Sequence, residues 1–240
     1  MVSQAVILAA GSGRRLRPLT DDRPKCLVPI AGTTLLDRLL GQLVRAGIER
    51  VVIVTGYMAA RLAQHLAENP PPLDMTLVEN ERYLSTENSA SLLCARAALG
   101  ERGFVLCDGD VVLRDGPIDD LVAADGSALL VDPHVKLARE EMKIAVRDGR
   151  IVALSKELEP HAADGESIGI QKVEDAATPA LWAELEAMMQ RGRQGGYYEE
   201  AFQGLIDRGH VFRPVVMAQD SAMEIDDLDD LARARARFAP

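Results

Sequence analysis

Cysteine is rare in this chain: Cys26, Cys94 and Cys107 are its three in 240 residues, widely spaced and with no CxxC pair. An odd, scattered set excludes a disulfide framework and a cysteine zinc site, and it fits a reducing compartment. Long apolar runs are also missing. No stretch approaches the roughly 18 residues that span a bilayer, and no basic segment precedes the apolar N-terminal run as in a secretory leader. A soluble, cytoplasmic protein with no membrane partner is expected. Positive charge is in deficit, with 27 Lys plus Arg against 37 Asp plus Glu and a net charge of −10. That balance argues against a general nucleic-acid binder, which needs a basic surface. Gly and Pro, 19 and 12 residues, are too few for a collagenous or low-complexity chain. The histidines at 65, 134, 161 and 210 have no ligand spacing.

What is present is ordinary globular material: 48% hydrophobic and 27% charged residues. Apolar runs at 5–10, 51–54, 75–78 and 104–107 read as strands. Between them lie helical patterns: Leu35, Leu36, Leu39, Leu40 and Leu43, then 58–66, then 88–99. Strands alternating with helices predict parallel βαβ units covered on both faces. After about residue 127 the pattern changes. Strands are expected at 128–131, 143–146, 151–154 and 211–217, with Asp148-Gly149 as a hairpin turn. Helices are expected at 179–190, 198–207 and from about 227. The expected class is α/β: a Rossmann-like three-layer α/β/α arrangement, mostly parallel, with mixed strands in the second half. It forms one domain over 1–240, in which 1–127 binds nucleotide and 128–240 holds the acceptor and the last metal ligand.

The first strand runs into Gly11-Ser12-Gly13, and Arg14, Arg15, Arg17, Arg23 and Lys25 crowd the loop that follows. Glycines after a buried strand let backbone N–H groups approach phosphate oxygens. No Walker A loop occurs, and Leu16 stands where a dinucleotide fingerprint needs its third glycine. Two glycines and five cations suit a triphosphate. Asp108-Gly109-Asp110 follows the 104–107 strand, where ligands of open α/β sheets bind. Glu224-Ile225-Asp226 repeats the arrangement before the final helix, and such carboxylates suit Mg²⁺. Asp227, Asp229 and Asp230 read instead as supports for that helix's N-terminus.

The string LAAGSGRRLRPLTDDRPKCLVPIAG, residues 8–32, closely resembles the signature of the nucleotidyltransferases that activate sugar phosphates and related phosphorylated alcohols. The resemblance implies that Ala9, Ala10, Gly11, Gly13 and Arg14 bind the nucleotide, that Arg15 and Lys25 carry catalysis, and that Asp110 and Asp226 hold Mg²⁺. Asp108 and Glu224 are further metal candidates. Tyr83 to Leu92, Glu141-Met142-Lys143, Ala153 to Lys156 and Gly165 to Ile170 resemble the branch acting on phosphocholine, inositol phosphate and aminoalkylphosphonates. That implies CTP as donor, Glu87 and Ser89 at the nucleotide, and Lys156 at the acceptor's phosphoryl group. Glu166 and the Tyr197-Tyr198-Glu199 cluster, Tyr198 above all, would lie near the acceptor. The expected reaction is Mg²⁺-dependent CMP transfer from CTP with release of pyrophosphate, in a chain that can form a homodimer. The alternatives are a sugar-1-phosphate nucleotidyltransferase using UTP, dTTP or GTP, a DxD glycosyltransferase, and an inactive regulatory homologue.

Overall fold

The structure is a computed structural model and describes residues 2–238. Its first half contains β1 (Gln4–Ala9), the short ribbon β2 (Pro29–Ile30) and β3 (Thr33–Thr34), α1 (Leu35–Arg45), β4 (Arg50–Thr55), α2 (Ala59–Glu68), β5 (Asp74–Glu79), α3 (Asn88–Cys94), α4 (Arg96–Leu99) and β6 (Phe104–Asp108). There follow β7 (Val111–Leu113), α5 (Pro117–Ala123), β8 (Ser127–Asp132), β9 (Lys143–Arg147), β10 (Arg150–Ser155) and β11 (Gly165–Val173). The chain then forms α6 (Thr178–Gln190), α7 (Tyr198–Asp207), β12 (Phe212–Val216), β13 (Ala222–Glu224) and α8 (Leu228–Arg237).

Four of the expected buried runs become the parallel block β6-β1-β4-β5. Its central strands are apolar on both faces, as a sheet covered by helices on each side requires. β5 is the exception: it is an edge strand with three exposed residues, so its apolar run is only half buried. The single helix expected over 88–99 breaks at Ala95 into α3 and α4.

The longest strand, β11, was not anticipated, because its glycines and polar residues interrupt any apolar run. It joins the two halves of the sheet. Residues 170–173 pair antiparallel with β6 and residues 165–166 with β9, while its other edge pairs with β8, which carries β12. β9 and β10 form the hairpin at Asp148-Gly149, both in the left-handed region. Two apolar clusters fill the spaces on either side of the sheet, one centred on Ile7, Leu39 and Val105, the other on Phe104, Trp182 and Phe202. No helix of the described residues is long and apolar enough to cross a membrane.

Candidate active site

The short antiparallel pair β7–β13 brings the two acidic stations together. Glu224 pairs with Val111, and the Ile225 N–H donates to the Asp110 carbonyl at 3.0 Å. Asp110, Glu224 and Asp226 thereby each offer a carboxylate oxygen within 4.8 Å of the others. Neither β7 nor β13 was expected, since each is three residues long.

Two cations of the Gly-rich loop meet these carboxylates. The Lys25 ammonium donates to Asp110 Oδ2 at 2.7 Å and to Asp226 Oδ1 at 2.8 Å, and Arg15 donates to Asp226 Oδ2 at 2.7 Å. Burial alone would lower the Lys25 pKa, but Asp110 and Asp226 carry it above its ordinary value. Burial likewise pushes Asp226 up, and Lys25 and Arg15 more than reverse this, holding its carboxyl below the usual range. Gly13 makes the approach possible. Its φ is +56°, and a Cβ there would lie 2.9 Å from Lys25 Cβ.

A cleft of about 590 Å³ opens over this group at the C-terminal ends of β1 and β6. Gly11, Gly13, Arg14, Arg15, Lys25, Glu87, Asp108, Asp110, Glu224 and Asp226 all line it. Three residues expected at the nucleotide do not. Ala9 and Ala10 are buried behind the loop, with the Ala10 carbonyl taken by the Tyr57 N–H. Ser89 is fully buried, and its hydroxyl donates to the Gly196 carbonyl at 2.5 Å, tying α3 to the loop before α7. Asn88 and Ser91, on either side of it, face the cleft instead. The Asn80 side chain donates to both Thr86 and Ser91 and so fixes this wall. An asparagine directly after a strand was its only trace in the sequence.

A smaller pocket of about 110 Å³ adjoins the cleft and is shared by Asp108, Lys156, Glu166, Tyr197, Glu199 and Glu224. The Lys156 ammonium lies over the Tyr197 ring, 4.5 Å from its centroid, where a cation is attracted by the ring face. Tyr198 is not a pocket residue. It is fully buried, its ring packs edge-on against Phe202, and its hydroxyl donates to Asp108 Oδ2 at 2.7 Å. Asp108 is thus held apart from the three clustered carboxylates, and Glu224 takes the place beside Asp110 and Asp226.

The pocket is acidic in an unusual way. Burial, with help from Glu141 and Asp132, pushes the Glu166 carboxyl up to about 7. Burial also brings Glu199 to about 7, and burial with Asp110 and Asp226 brings Glu224 to about 8. Asp108 is raised by burial and by Asp110 and Glu199. Glu199 Oε2 and Asp110 Oδ1 are buried with no hydrogen-bond partner. Such atoms are rare in folded proteins, and each calls for a partner such as a proton, a water or an ion.

The profile of the MobA-like NTP transferase domain matches residues 5–196. The chain belongs to the MobA-like NTP transferase family. A 2-aminoethylphosphonate cytidylyltransferase of Lancefieldella rimae is 36% identical over 113 residues, covering 47% of this chain and 45% of the relative. A CMP-5'-(3-aminopropyl)phosphonate synthase of Streptomyces rubellomurinus is 28% identical over 245 residues, 99% of this chain and 39% of the relative. The chain therefore spans less than half the length of either. The inositol-1-phosphate CTP transferase from T. maritima has the same fold, with a TM-score of 0.82 at 21% identity over 99% of this chain and 96% of that one. The family's α/β nucleotidyltransferase fold is thus the fold of this chain, including the antiparallel second half.

Proposed function

We propose that this MobA-like transferase moves CMP from CTP to a small phosphorylated alcohol or phosphonate, with release of pyrophosphate. The observation that carries this reading is the joining of Arg15, Lys25, Asp110, Glu224 and Asp226 at one cleft, next to a small pocket that holds Lys156 between acidic side chains. The two aminoalkylphosphonate relatives support both the base and the acceptor class.

The chemistry needs no strong base. An oxyanion of the acceptor's phosphoryl group attacks the α-phosphorus of CTP in line. The new P–O bond forms as the bond to the β-phosphate oxygen breaks, and its electron pair leaves with pyrophosphate. The loop N–H groups of 11–13 face the triphosphate, and Arg15 and Lys25 neutralise charge on it. Lys156 would hold the attacking phosphoryl group, and Glu166 and Glu199 would face a cationic group at the acceptor's other end.

Three clustered hard-oxygen donors, one with a buried unpartnered atom, fit Mg²⁺. Asp110, Glu224 and Asp226 would hold it, and when bound it supplies charge neutralisation for the phosphates. The test is pyrophosphate release with MgCl₂, offering CTP, UTP, dTTP, ATP and GTP against 2-aminoethylphosphonate, phosphocholine, inositol 1-phosphate and hexose 1-phosphates. Release with CTP and a non-sugar acceptor is expected. Release only with UTP or dTTP and a sugar phosphate overturns it. The last outcome has a precedent in the N-acetylmuramate alpha-1-phosphate uridylyltransferase of Caulobacter vibrioides, 34% identical over 63% of this chain and 64% of that relative.

A further inference from the structure

Lys143 is completely buried, yet the mechanism above gives its charge nothing to do. It opens β9, where its register partners are Ser155 on β10 and Glu166 on β11, and Glu166 pairs in turn with Asp132 on β8. Directly opposed residues of antiparallel strands share a face, so one row across four strands reads Ser155, Lys143, Glu166, Asp132. Lys143 is the single cation in a row with two carboxylates, and it acts against the effect of Asp132 on Glu166.

Its hydrogen bonds go elsewhere. The ammonium donates to the main-chain carbonyls of Ala138 at 3.0 Å, Arg139 at 3.2 Å and Glu141 at 3.0 Å. An ammonium has three N–H groups, and all three are spent on one stretch of loop. That stretch and the residue after it supply Glu140 and Met142, which line the 110 Å³ pocket together with Tyr197 and Glu199. The Glu141 carboxylate closes the same loop by accepting the Ala138 N–H at 2.7 Å. Burying an ammonium costs far more than burying an apolar side chain of its size. A loop that needed only a hydrophobic anchor would not require one.

We infer that Lys143 is a positioning residue for the acceptor: its ammonium gathers the carbonyls of Ala138, Arg139 and Glu141 and so sets the wall of the acceptor pocket, without touching the nucleotide. The inference rests on the acceptor occupying that pocket, as proposed above. A loosened wall weakens acceptor binding and leaves the CTP cleft intact, because none of residues 138–143 lines that cleft.

The experiment is steady-state kinetics of Lys143→Met and Lys143→Arg with CTP and 2-aminoethylphosphonate, alongside amide hydrogen exchange of 138–142. Lys143→Met is expected to raise the acceptor KM by about tenfold or more, with the CTP KM within about twofold of wild type. Lys143→Arg, which keeps the charge and the donors, should recover part of the loss. Equal increases in both KM values overturn the inference, as does an arginine variant no better than the methionine one. Glu141→Ala loosens the same loop by freeing the Ala138 N–H. Should Lys143→Met not fold, that variant decides by the same split between the two KM values. If the wild-type protein turns over no acceptor of the panel, the proposed function fails on its own. The role of Lys143 is then read from exchange: faster at 138–142 than in β8 and β10 upholds the anchor, and unchanged rates there refute it.

Discussion

The Tyr198 hydroxyl donates to Asp108 Oδ2 at 2.7 Å, joining the start of α7 to the end of β6 across 90 residues. The space Asp108 occupies exists because residue 169 is glycine. At φ +74°, a Cβ on residue 169 would fall 2.4 Å from Asp108 Oδ2. Gly169→Ala therefore meets both backbone strain and a clash with a fixed carboxylate. We expect a loss of about 2 kcal/mol or more of stability, read as a lower urea midpoint at an unchanged slope. A neutral result would mean that Asp108 moves freely, and that the Tyr198 hydroxyl does not hold it.

Lys25 sits between Asp110 and Asp226 as a fixed positive charge, in contact with two of the three carboxylates that would hold a divalent ion. In the proposed reaction Lys25 neutralises charge on the triphosphate, so Lys25→Ala should lower turnover by about 10²- to 10³-fold, the usual cost of one preorganised donor. It also leaves the partly buried carboxylates repelling one another. The variant's melting temperature should therefore rise more on adding MgCl₂ than the wild type's does, because no ammonium competes for the same oxygens. Equal shifts in both proteins would show that Lys25 and the metal do not share the site.

Which parts of this site could be read from the chain depends on how local the signal is. Gly11, Gly13, Arg15 and Lys25 lie within 15 residues of one another, and their pattern is legible because a phosphate loop is built from consecutive backbone. Asp110 and Asp226 were visible as acidic residues next to strand or helix ends. Their meeting depends on β7 and β13, two three-residue strands too short to leave a periodicity. β11 was hidden for a different reason: a strand paired on both edges still reads as irregular when glycines and polar residues serve the pocket along it. Tyr197 and Tyr198 show the limit most clearly. Neighbouring tyrosines are equivalent on paper, and only the turn of the chain into α7 exposes Tyr197 by 37% while burying Tyr198 entirely. Ser89 and Ser91 are separated in the same way, by which side of α3 meets the cleft.

Glu199 makes folding depend on pH. Its carboxyl is raised from 4.5 to about 7 by burial, so between these values the folded chain keeps a proton that the unfolded chain has lost. Stability contributed by this group therefore falls as pH rises from about 4.5 to about 7 and is level above. Glu199→Gln removes that slope. In metal-free buffer, its melting temperature should gain on the wild type between pH 5.5 and 7.5. A constant difference across that range would show that Glu199 is ionised throughout, with its orphaned Oε2 satisfied by water.

Glu166 makes the same chemistry visible in turnover. Burial raises its carboxyl to about 7, Glu141 and Asp132 add to the shift, and Lys143 and Lys156 pull against it. Below about 7 the group is neutral, and above it an anion faces the pocket proposed for the acceptor. An acceptor with an ammonium end should bind more tightly as pH rises from 6 to 8, by up to about tenfold if pairing requires the anion. A phosphonate titrates in part of this range too, so the wild-type profile alone does not assign the effect. Glu166→Gln on the same acceptor does, since it keeps the acceptor's own titration and removes only the protein's. The expected result is a shallower rise of 1/KM for 2-aminoethylphosphonate in the variant, with no change in the profile for CTP. A profile identical to wild type would place the acceptor's cationic end away from Glu166, toward the other carboxylates of the pocket, Asp108, Glu140, Glu199 and Glu224.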